Sequence, residues 1–182
     1  MKVYLAQLNP KVGDLAGNLA QVEQVLVEKT GVDVIVFPEL FLTGYPPKDL
    51  LLRSDFLQDV QDKLTQLLAI SRDHPQVALV IGLPLQREGD LYNGVVVVQA
   101  GEILGRHSKR NLTQFRLFDE NIYFSPGLEH TLVRLGDEVV AIALGMELDL
   151  ELAMELRQLG ATLIINPCAI PFAVGEESRH EE

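Results

Sequence analysis

The stretch VIVFPELFLTGY, residues 34–45, decides how this chain is expected to fold. It opens with a continuous apolar run, which Pro38 ends, and such a run is typical of a strand buried on both faces. Glu39 follows directly, at the carboxyl end of the predicted strand, where α/β proteins gather their active sites. Apolar neighbours would raise the pKa of the Glu39 carboxyl group, which suits a general base. A solvated glutamate at a strand end is the ordinary alternative.

Helical and extended patterns alternate on both sides of this stretch. Apolar residues at helical spacing predict a helix over residues 15–26, closed by Gly31, and a second helix over 56–68 with Ser54 as its N-cap. A third helix is predicted over 149–159. Strands are predicted at 3–8, 34–37, 77–81, 95–99, near 103, at 131–135, 139–144 and 162–165, whereas residues 106–127 show no regular pattern. This order predicts one α/β domain with a mixed sheet.

The composition narrows the classes of partner and compartment. The chain has 182 residues, and its 15 Lys and Arg against 26 Asp and Glu give a net charge of −11. Nucleic acids and anionic membranes attract clustered positive charge, so neither is expected as a partner. Cys168 is the one cysteine, which excludes an internal disulfide and a cysteine-rich zinc site. Without a recognisable targeting segment or a membrane-length apolar run, a cytoplasmic protein is expected.

Common cofactor and hydrolase motifs do not occur in the sequence. It contains no G-x-x-x-x-G-K-[ST], no G-x-G-x-x-G after a strand, no H-E-x-x-H and no G-x-S-x-G. The four histidines lie in polar contexts without a second ligand at metal spacing, so they are predicted to be surface residues without a metal: His74, His107, His130 and His180.

Motifs spread along nearly the whole chain do share a known pattern. They are AQLNP at 6–10, the segment 37–53, Lys109, Phe118-Asp119-Glu120, Pro126-Gly127, Asn166 and Pro171-Phe172. Together they resemble the nitrilase superfamily of carbon-nitrogen hydrolases, and within it the glutaminase domains of glutamine-dependent NAD synthetases. The resemblance implies an α/β fold of the αββα sandwich type with mixed sheets.

The resemblance also implies roles for individual residues. Glu39 corresponds to the general base, Lys109 to the lysine that stabilises the oxyanion, and Glu120 to a supporting glutamate. The substrate-binding residues would be Tyr45, Phe115 and Glu147. Glutamine is the implied substrate, and a synthetase domain or subunit the implied partner in a homo-oligomer. ATP and magnesium would belong to that synthetase domain, so no cofactor or metal is expected in this chain.

The nucleophile that the resemblance requires is missing. The family has a cysteine in a Cys-Glu-Asp stretch after a strand, and aligning on Glu147 places Met146 at the cysteine's position. A thioether has no proton to lose and cannot form a thioester, and losing a covalent nucleophile costs on the order of 10⁶ in kcat. Cys168 lies 22 residues further along and is predicted to line the pocket rather than attack. An inactive amidase is expected.

The sequence also departs from the family at other pocket positions and in the length of its domain, and two alternative functions stay open. The family's Leu-Pro-Asn-Tyr reads Leu112-Thr113-Gln114-Phe115 here, and Leu148 and Leu150 replace Asp and Trp. Residues 1–182 would form one glutaminase-like domain that is incomplete at its C-terminal end, without the synthetase and its Ser-Gly-Gly-x-Asp-Ser loop. An exposed apolar face, or a dimer covering it, is then expected. The alternatives are a non-catalytic binding or scaffolding remnant, and an amidase with a different nucleophile.

Overall fold

The computed structural model describes residues 1–115 and 118–170, apart from the Phe115 side chain. Ten strands and three α-helices are assigned within these ranges, together with 3₁₀ turns at Lys48–Leu52 and Glu120–Ile122. The helices are α1 (Leu15–Glu28), α2 (Ser54–Asp73) and α3 (Leu150–Gln158). The strands are β1 (Val3–Leu5), β2 (Val34–Val36), β3 (Ala78–Arg87), β4 (Asp90–Gln99), β5 (Glu102–Ser108), β6 (Gln114–Phe115), β7 (Phe118–Asp119), β8 (Thr131–Leu135), β9 (Glu138–Ile142) and β10 (Leu163–Ile165).

Two main sheets form the body of the described structure. The first has the strand order β1-β2-β3-β4-β5, parallel through β3 and antiparallel beyond it. The second has the order β10-β9-β8, with β10 parallel and β8 antiparallel to β9. Strands β6 and β7 pair separately. The expected mixed α/β architecture is therefore confirmed.

The alternation of side chains along β2 explains how the layers stack. Ile35 faces a core cluster that contains the apolar residues of α1 and α2. Val34 and Val36 face the opposite way, into a second cluster with Val140 and Ile142 of the second sheet. Burying each such side chain contributes about 1.5–3 kcal/mol. Because α3 is the crossover between parallel strands of the second sheet, it lies on that sheet's outer face, which completes the αββα order.

A side-chain cap fixes the start of α1 but not that of α2. Asp14 caps α1, where its carboxylate accepts a hydrogen bond of 3.0 Å from the Gly17 backbone N–H. The prediction for α2 was wrong by one residue, because Arg53 is the N-cap and makes no side-chain capping bond, while Ser54 is the first helical residue.

The hairpin of β3 and β4 is longer than the sequence pattern predicts. Gly82 and Pro84 interrupt the apolar run, yet β3 continues to Arg87. Pro84 lies beyond the residues of β3 that pair with β2, so its missing N–H costs no bond on that side. At Gly82 any side chain is excluded, because a Cβ there would lie 2.3 Å from the Leu40 nitrogen. The turn carrying Glu39 therefore packs directly on this strand.

The α3 region exposes apolar side chains. Only Leu156 is buried in α3, whereas Leu150, Met154 and Leu159 are exposed at or beside it. The apolar face expected from an incomplete sandwich, and a dimer that covers it, both stay predictions. Within the residues described, none of the helices is both long enough and apolar enough to cross a membrane.

Candidate active site

Strand direction brings the candidate residues to one edge of the first sheet. Glu39 follows β2 and Lys109 directly follows β5, and both strands run in the same direction. Strand β4 runs the opposite way, so Asn93 near its start reaches the same edge. Residues far apart in sequence therefore meet where these strands end.

Three charged side chains form a buried cluster at this edge, here called the Glu39–Lys109–Glu120 cluster. The Lys109 ammonium nitrogen lies 2.7 Å from Glu39 Oε1 and 2.9 Å from Glu120 Oε2. The side chains of the three residues are at most 2% exposed. A buried charge needs a partner, and here one cation serves two anions.

Burial and mutual charge move the pKa values within the cluster. Burial raises the pKa of Glu39, with Glu120 adding to the rise and Lys109 opposing it. For Lys109, burial by itself would lower the pKa, but the two carboxylates raise it above its ordinary value. The lysine is therefore held as an ammonium, and Glu39 is a stronger base than a solvated glutamate.

Two uncharged residues complete the cluster, and the sequence analysis missed both. Asn93 donates from Nδ2 to Glu39 Oε1 (2.7 Å) and to Glu120 Oε1 (2.6 Å). Thr113 accepts a 3.1 Å bond from the Lys109 ammonium through Oγ1, and its backbone N–H donates to Glu120 Oε2 at 2.7 Å. An amide within an otherwise apolar strand was an available signal for Asn93, whereas Thr113 lies in a segment without a pattern.

The turn after β9 closes over the lysine. A Cβ on Gly145, which has a φ of +63°, would lie 2.7 Å from Lys109 Nζ and 3.3 Å from Glu39 Oε2. Met146 follows directly and is 58% exposed, so it does not pack in the core. The turn thus borders the cluster at the residue before the expected nucleophile position, and that assignment of Met146 remains a prediction.

Protein groups surround the carboxylate of Glu147, whose expected contact with substrate remains a prediction. Oε2 accepts from the Leu144 N–H (2.8 Å) and lies 3.0 Å from His107 Nε2, while Oε1 accepts from the Arg110 and Asn111 N–H groups. The residue is 3% exposed. Glu147 therefore ties the turn after β9 to the segment after β5. The prediction that His107 is a surface residue was wrong, because its side chain is only 2% exposed and lies against Glu147.

Replacing Glu147 with glutamine is expected to destabilise the chain most at neutral pH. Burial raises the pKa of Glu147, but hydrogen bonds from His107 and the backbone outweigh it and leave the pKa below the ordinary value. A lowered folded pKa stabilises the protein above the unfolded pKa, near 4.3, and that stability is lost as pH falls through the folded pKa. Urea unfolding of Glu147→Gln should therefore show a deficit at pH 7 that shrinks toward pH 3.

Glu23→Gln is the matched control for this prediction, because Glu23 is exposed on α1. It should unfold like the natural chain at both pH values. A deficit in Glu147→Gln that stays constant between pH 7 and pH 3 would contradict the lowered pKa, since it would show that ionisation of Glu147 does not stabilise the fold.

The remaining predicted site residues have different outcomes. Tyr45 packs edge-on against Phe118, and its phenol pKa is raised by burial and by the charges of Glu39 and Glu120, which places it beside the cluster. The side chain of Phe115 and the Pro171-Phe172 motif lie outside the described residues. Cys168 is exposed. Its neighbour Ala169 donates a 3.1 Å bond to Glu39 Oε2, so this segment borders the site.

Comparison with known proteins decides the family. A family model described as carbon-nitrogen hydrolase matches residues 2–180. The chain belongs to the carbon-nitrogen hydrolase family. Within that family, the glutamine-dependent NAD(+) synthetase of Thermotoga maritima is 38% identical over 182 residues, covering 97% of this chain and 31% of the relative. The Aquifex aeolicus synthetase is 35% identical and covers all of this chain and 32% of the relative. The chain thus spans about one third of these curated relatives.

Solved structures agree with the assignment to the carbon-nitrogen hydrolases. A glutamine-dependent NAD+ synthetase from Acinetobacter baumannii superposes with a TM-score of 0.87 at 27% identity, over 98% of this chain and 34% of that one. An amidase of the nitrilase superfamily from Nesterenkonia gives a TM-score of 0.85 at 23% identity, over 97% of this chain and 68% of that one. The second likeness shows the fold alone. The expected nitrilase-type sandwich is confirmed.

Proposed function

We propose that residues 1–182 form a glutaminase-like domain related to that of glutamine-dependent NAD synthetases, with little or no hydrolysis of its own. The observation that carries the proposal is the buried 2.7 Å pair of Glu39 and Lys109 beside the turn containing Met146. In a cysteine-bearing relative such a pair supplies the base and the oxyanion donor. Here the pair is retained, and a thioether stands where the nucleophile is expected.

Each residue of the cluster has a distinct part in this proposal. Glu39 Oε2 would accept a proton from a nucleophile, because Oε1 is occupied by Lys109 and Asn93 while Oε2 accepts only the Ala169 N–H among the described residues. Lys109 would face the carbonyl oxygen of a carboxamide. Glu120 would hold the lysine in place, since it is completely buried. Tyr45 would form part of the wall around the substrate.

Partners and compartment follow from the same relationship. The carboxamide side chain of glutamine is the proposed ligand, and a synthetase domain or subunit is the proposed recipient of ammonia. We place ATP and magnesium with that synthetase and none in this chain, and we propose a cytoplasmic homo-oligomer. The net charge of −11 argues against nucleic acid and anionic membranes as partners.

A second function is favoured by Met146 itself. A domain that keeps its scaffold and loses its nucleophile suits a non-catalytic module, which would bind a carboxamide without turnover or hold an assembly together. Exposed Leu150, Met154 and Leu159 offer such a module an apolar surface. Binding of glutamine would favour the carboxamide-binding form of this alternative, and its absence would favour the scaffolding form.

Ammonia release and ligand-induced stabilisation test these functions together. The natural chain and its Cys168→Ser variant should both release no ammonia from glutamine above the buffer rate. Glutamine should nonetheless raise the Tm of the natural chain, with alanine at equal concentration as the control. Release that disappears in Cys168→Ser would contradict the nucleophile assignment. Neither release nor a Tm shift would favour the scaffolding module.

A further inference from the structure

The Lys109 ammonium has no N–H left for a substrate. A lysine ammonium carries three donors. In this site they meet three partners: Glu39 Oε1 at 2.7 Å, Thr113 Oγ1 at 3.1 Å, and Glu120, whose Oε1 and Oε2 lie at 3.2 and 2.9 Å. A carboxamide oxygen that becomes an oxyanion would have to displace one of these partners.

Thr113 is the partner that most readily gives way. The bonds from Lys109 to Glu39 and Glu120 join opposite charges in a buried site, where Coulomb attraction adds to the hydrogen bond, whereas the Thr113 hydroxyl carries no charge. The hydroxyl of Thr113 is a neutral acceptor, 3.1 Å from the Lys109 ammonium nitrogen. The nearest oxygens of Glu39 and Glu120 lie closer to that nitrogen, at 2.7 and 2.9 Å. A substrate oxygen and the Thr113 hydroxyl therefore compete for the same N–H.

The backbone of Thr113 keeps its hydroxyl in that position. Its N–H donates to Glu120 Oε2 at 2.7 Å, and its carbonyl accepts the Glu120 N–H at 3.1 Å. The nearby turn offers little compensation, because the Gly145 N–H donates to Pro167 and the Glu147 N–H donates to Leu144. The Lys109 N–H that Thr113 accepts is therefore the donor that a reacting oxygen would have to share.

We propose that Thr113 is a positioning residue whose hydroxyl competes with a reacting carbonyl oxygen for Lys109, and so limits oxyanion stabilisation at this site. The inference rests on the proposed function, in which the Glu39–Lys109–Glu120 cluster faces a carboxamide. It makes Thr113 a second restraint on hydrolysis, separate from Met146. Restoring a thiol alone would then leave the lysine partly occupied.

The test measures affinity for a tetrahedral adduct, which requires neither turnover nor glutamine recognition. Three variants are compared, each carrying Met146→Cys and Cys168→Ser: one with Thr113, one with Thr113→Val and one with Thr113→Ser. Carbonyl-labelled butyraldehyde adds to the introduced thiol: Glu39 takes the thiol proton, the sulfur–carbon bond forms, the carbonyl π bond breaks, and its electron pair stays on the oxygen as an alkoxide facing Lys109. The dissociation constant of this adduct is read by carbon-13 NMR.

Thr113→Val should tighten the adduct about tenfold or more, because one oxyanion donor is worth about 10²–10³ in rate and the valine cannot accept its hydrogen bond. Thr113→Ser should match the parent, since it keeps the hydroxyl. An equal or weaker adduct in Thr113→Val, equal tightening in both variants, or no adduct in any chain would overturn the proposal. Ammonia release from glutamine, measured on the same chains, tests the proposed function separately.

Discussion

Ammonia release from glutamine is expected to appear when Met146 is replaced with cysteine. The base and the ammonium are already in contact at 2.7 Å and buried, and the turn before Met146 lies against both. Losing the nucleophile of a hydrolase triad costs on the order of 10⁶ in kcat, and the pocket also departs from the family at Phe115, Leu148 and Leu150. We therefore expect Met146→Cys to gain about 10³-fold or more over the natural chain.

The chemistry of this gain is explicit. Glu39 takes the thiol proton, the thiolate attacks the carboxamide carbon, and Lys109 stabilises the oxyanion. Glu39 then protonates the departing ammonia, and water hydrolyses the thioester. Adding Glu39→Gln to Met146→Cys should abolish the release, because the amide cannot accept the proton.

Controls locate the new activity at the turn. Met154→Cys places an equally new thiol on an exposed position of α3, away from the cluster, and should release nothing. Cys168→Ser added to Met146→Cys should leave the release unchanged. Release by Met154→Cys at the same rate, or dependence of the release on Cys168, would contradict the placement of the nucleophile at residue 146.

Replacing Lys109 with methionine is expected to have the largest effect on stability. The change leaves Glu39 and Glu120 buried without a cation, and removing one member of a buried ion pair costs about 3–5 kcal/mol. Domains of this size are stable by only about 5–15 kcal/mol. Urea unfolding of Lys109→Met at pH 7 should therefore show a large fraction of the stability lost.

Two measurements distinguish unpaired charge from lost packing as the cause of the stability deficit in Lys109→Met: its pH dependence and the effect of a second substitution. Burial raises the pKa of Glu39, and removing Lys109 removes the charge that opposes this rise, so protonation of Glu39 should shrink the deficit of Lys109→Met between pH 7 and pH 5. The double variant Lys109→Met/Glu39→Gln should recover part of the loss at pH 7, since it buries one charge fewer. Lys11→Met, at an exposed position before α1, should leave stability unchanged. A deficit that is the same at both pH values and in the double variant would rule out charge as its cause.

The three buried charges have a role in the fold, which explains why a chain that has lost its nucleophile, as we propose for this one, would retain them. The Glu39–Lys109–Glu120 cluster joins the turn after β2, the end of β5 and the 3₁₀ turn Glu120–Ile122. Removing Lys109 would leave the carboxylates of Glu39 and Glu120 buried without a cation. Replacing the exposed side chain at residue 146 leaves no buried charge without a partner. A chain can therefore lose its nucleophile at little structural cost.

The sequence by itself determined the features that depend on local pattern. Periodicity located all three helices and most strands, because an apolar face repeats every 3.6 residues in a helix and every second residue in a strand. The run before Pro38 marked a strand buried on both faces, and the chemistry of one side chain showed that Met146 cannot act as a nucleophile. The family resemblance likewise identified Glu39, Lys109 and Glu120 as candidate site residues from the sequence.

Only the tertiary structure decided which groups meet. Asn93 contacts Glu39 across 54 positions of sequence and Glu120 across 27, and His107 contacts Glu147 across 40. Thr113 reaches Lys109 from a segment without periodicity. These contacts arise because the directions of β2, β4 and β5 bring distant chain segments to one sheet edge, and no local pattern carries that information. Tertiary contacts also buried Glu147, which the motif suggested as a substrate contact: its carboxylate accepts hydrogen bonds from the turn after β9 and from the segment after β5.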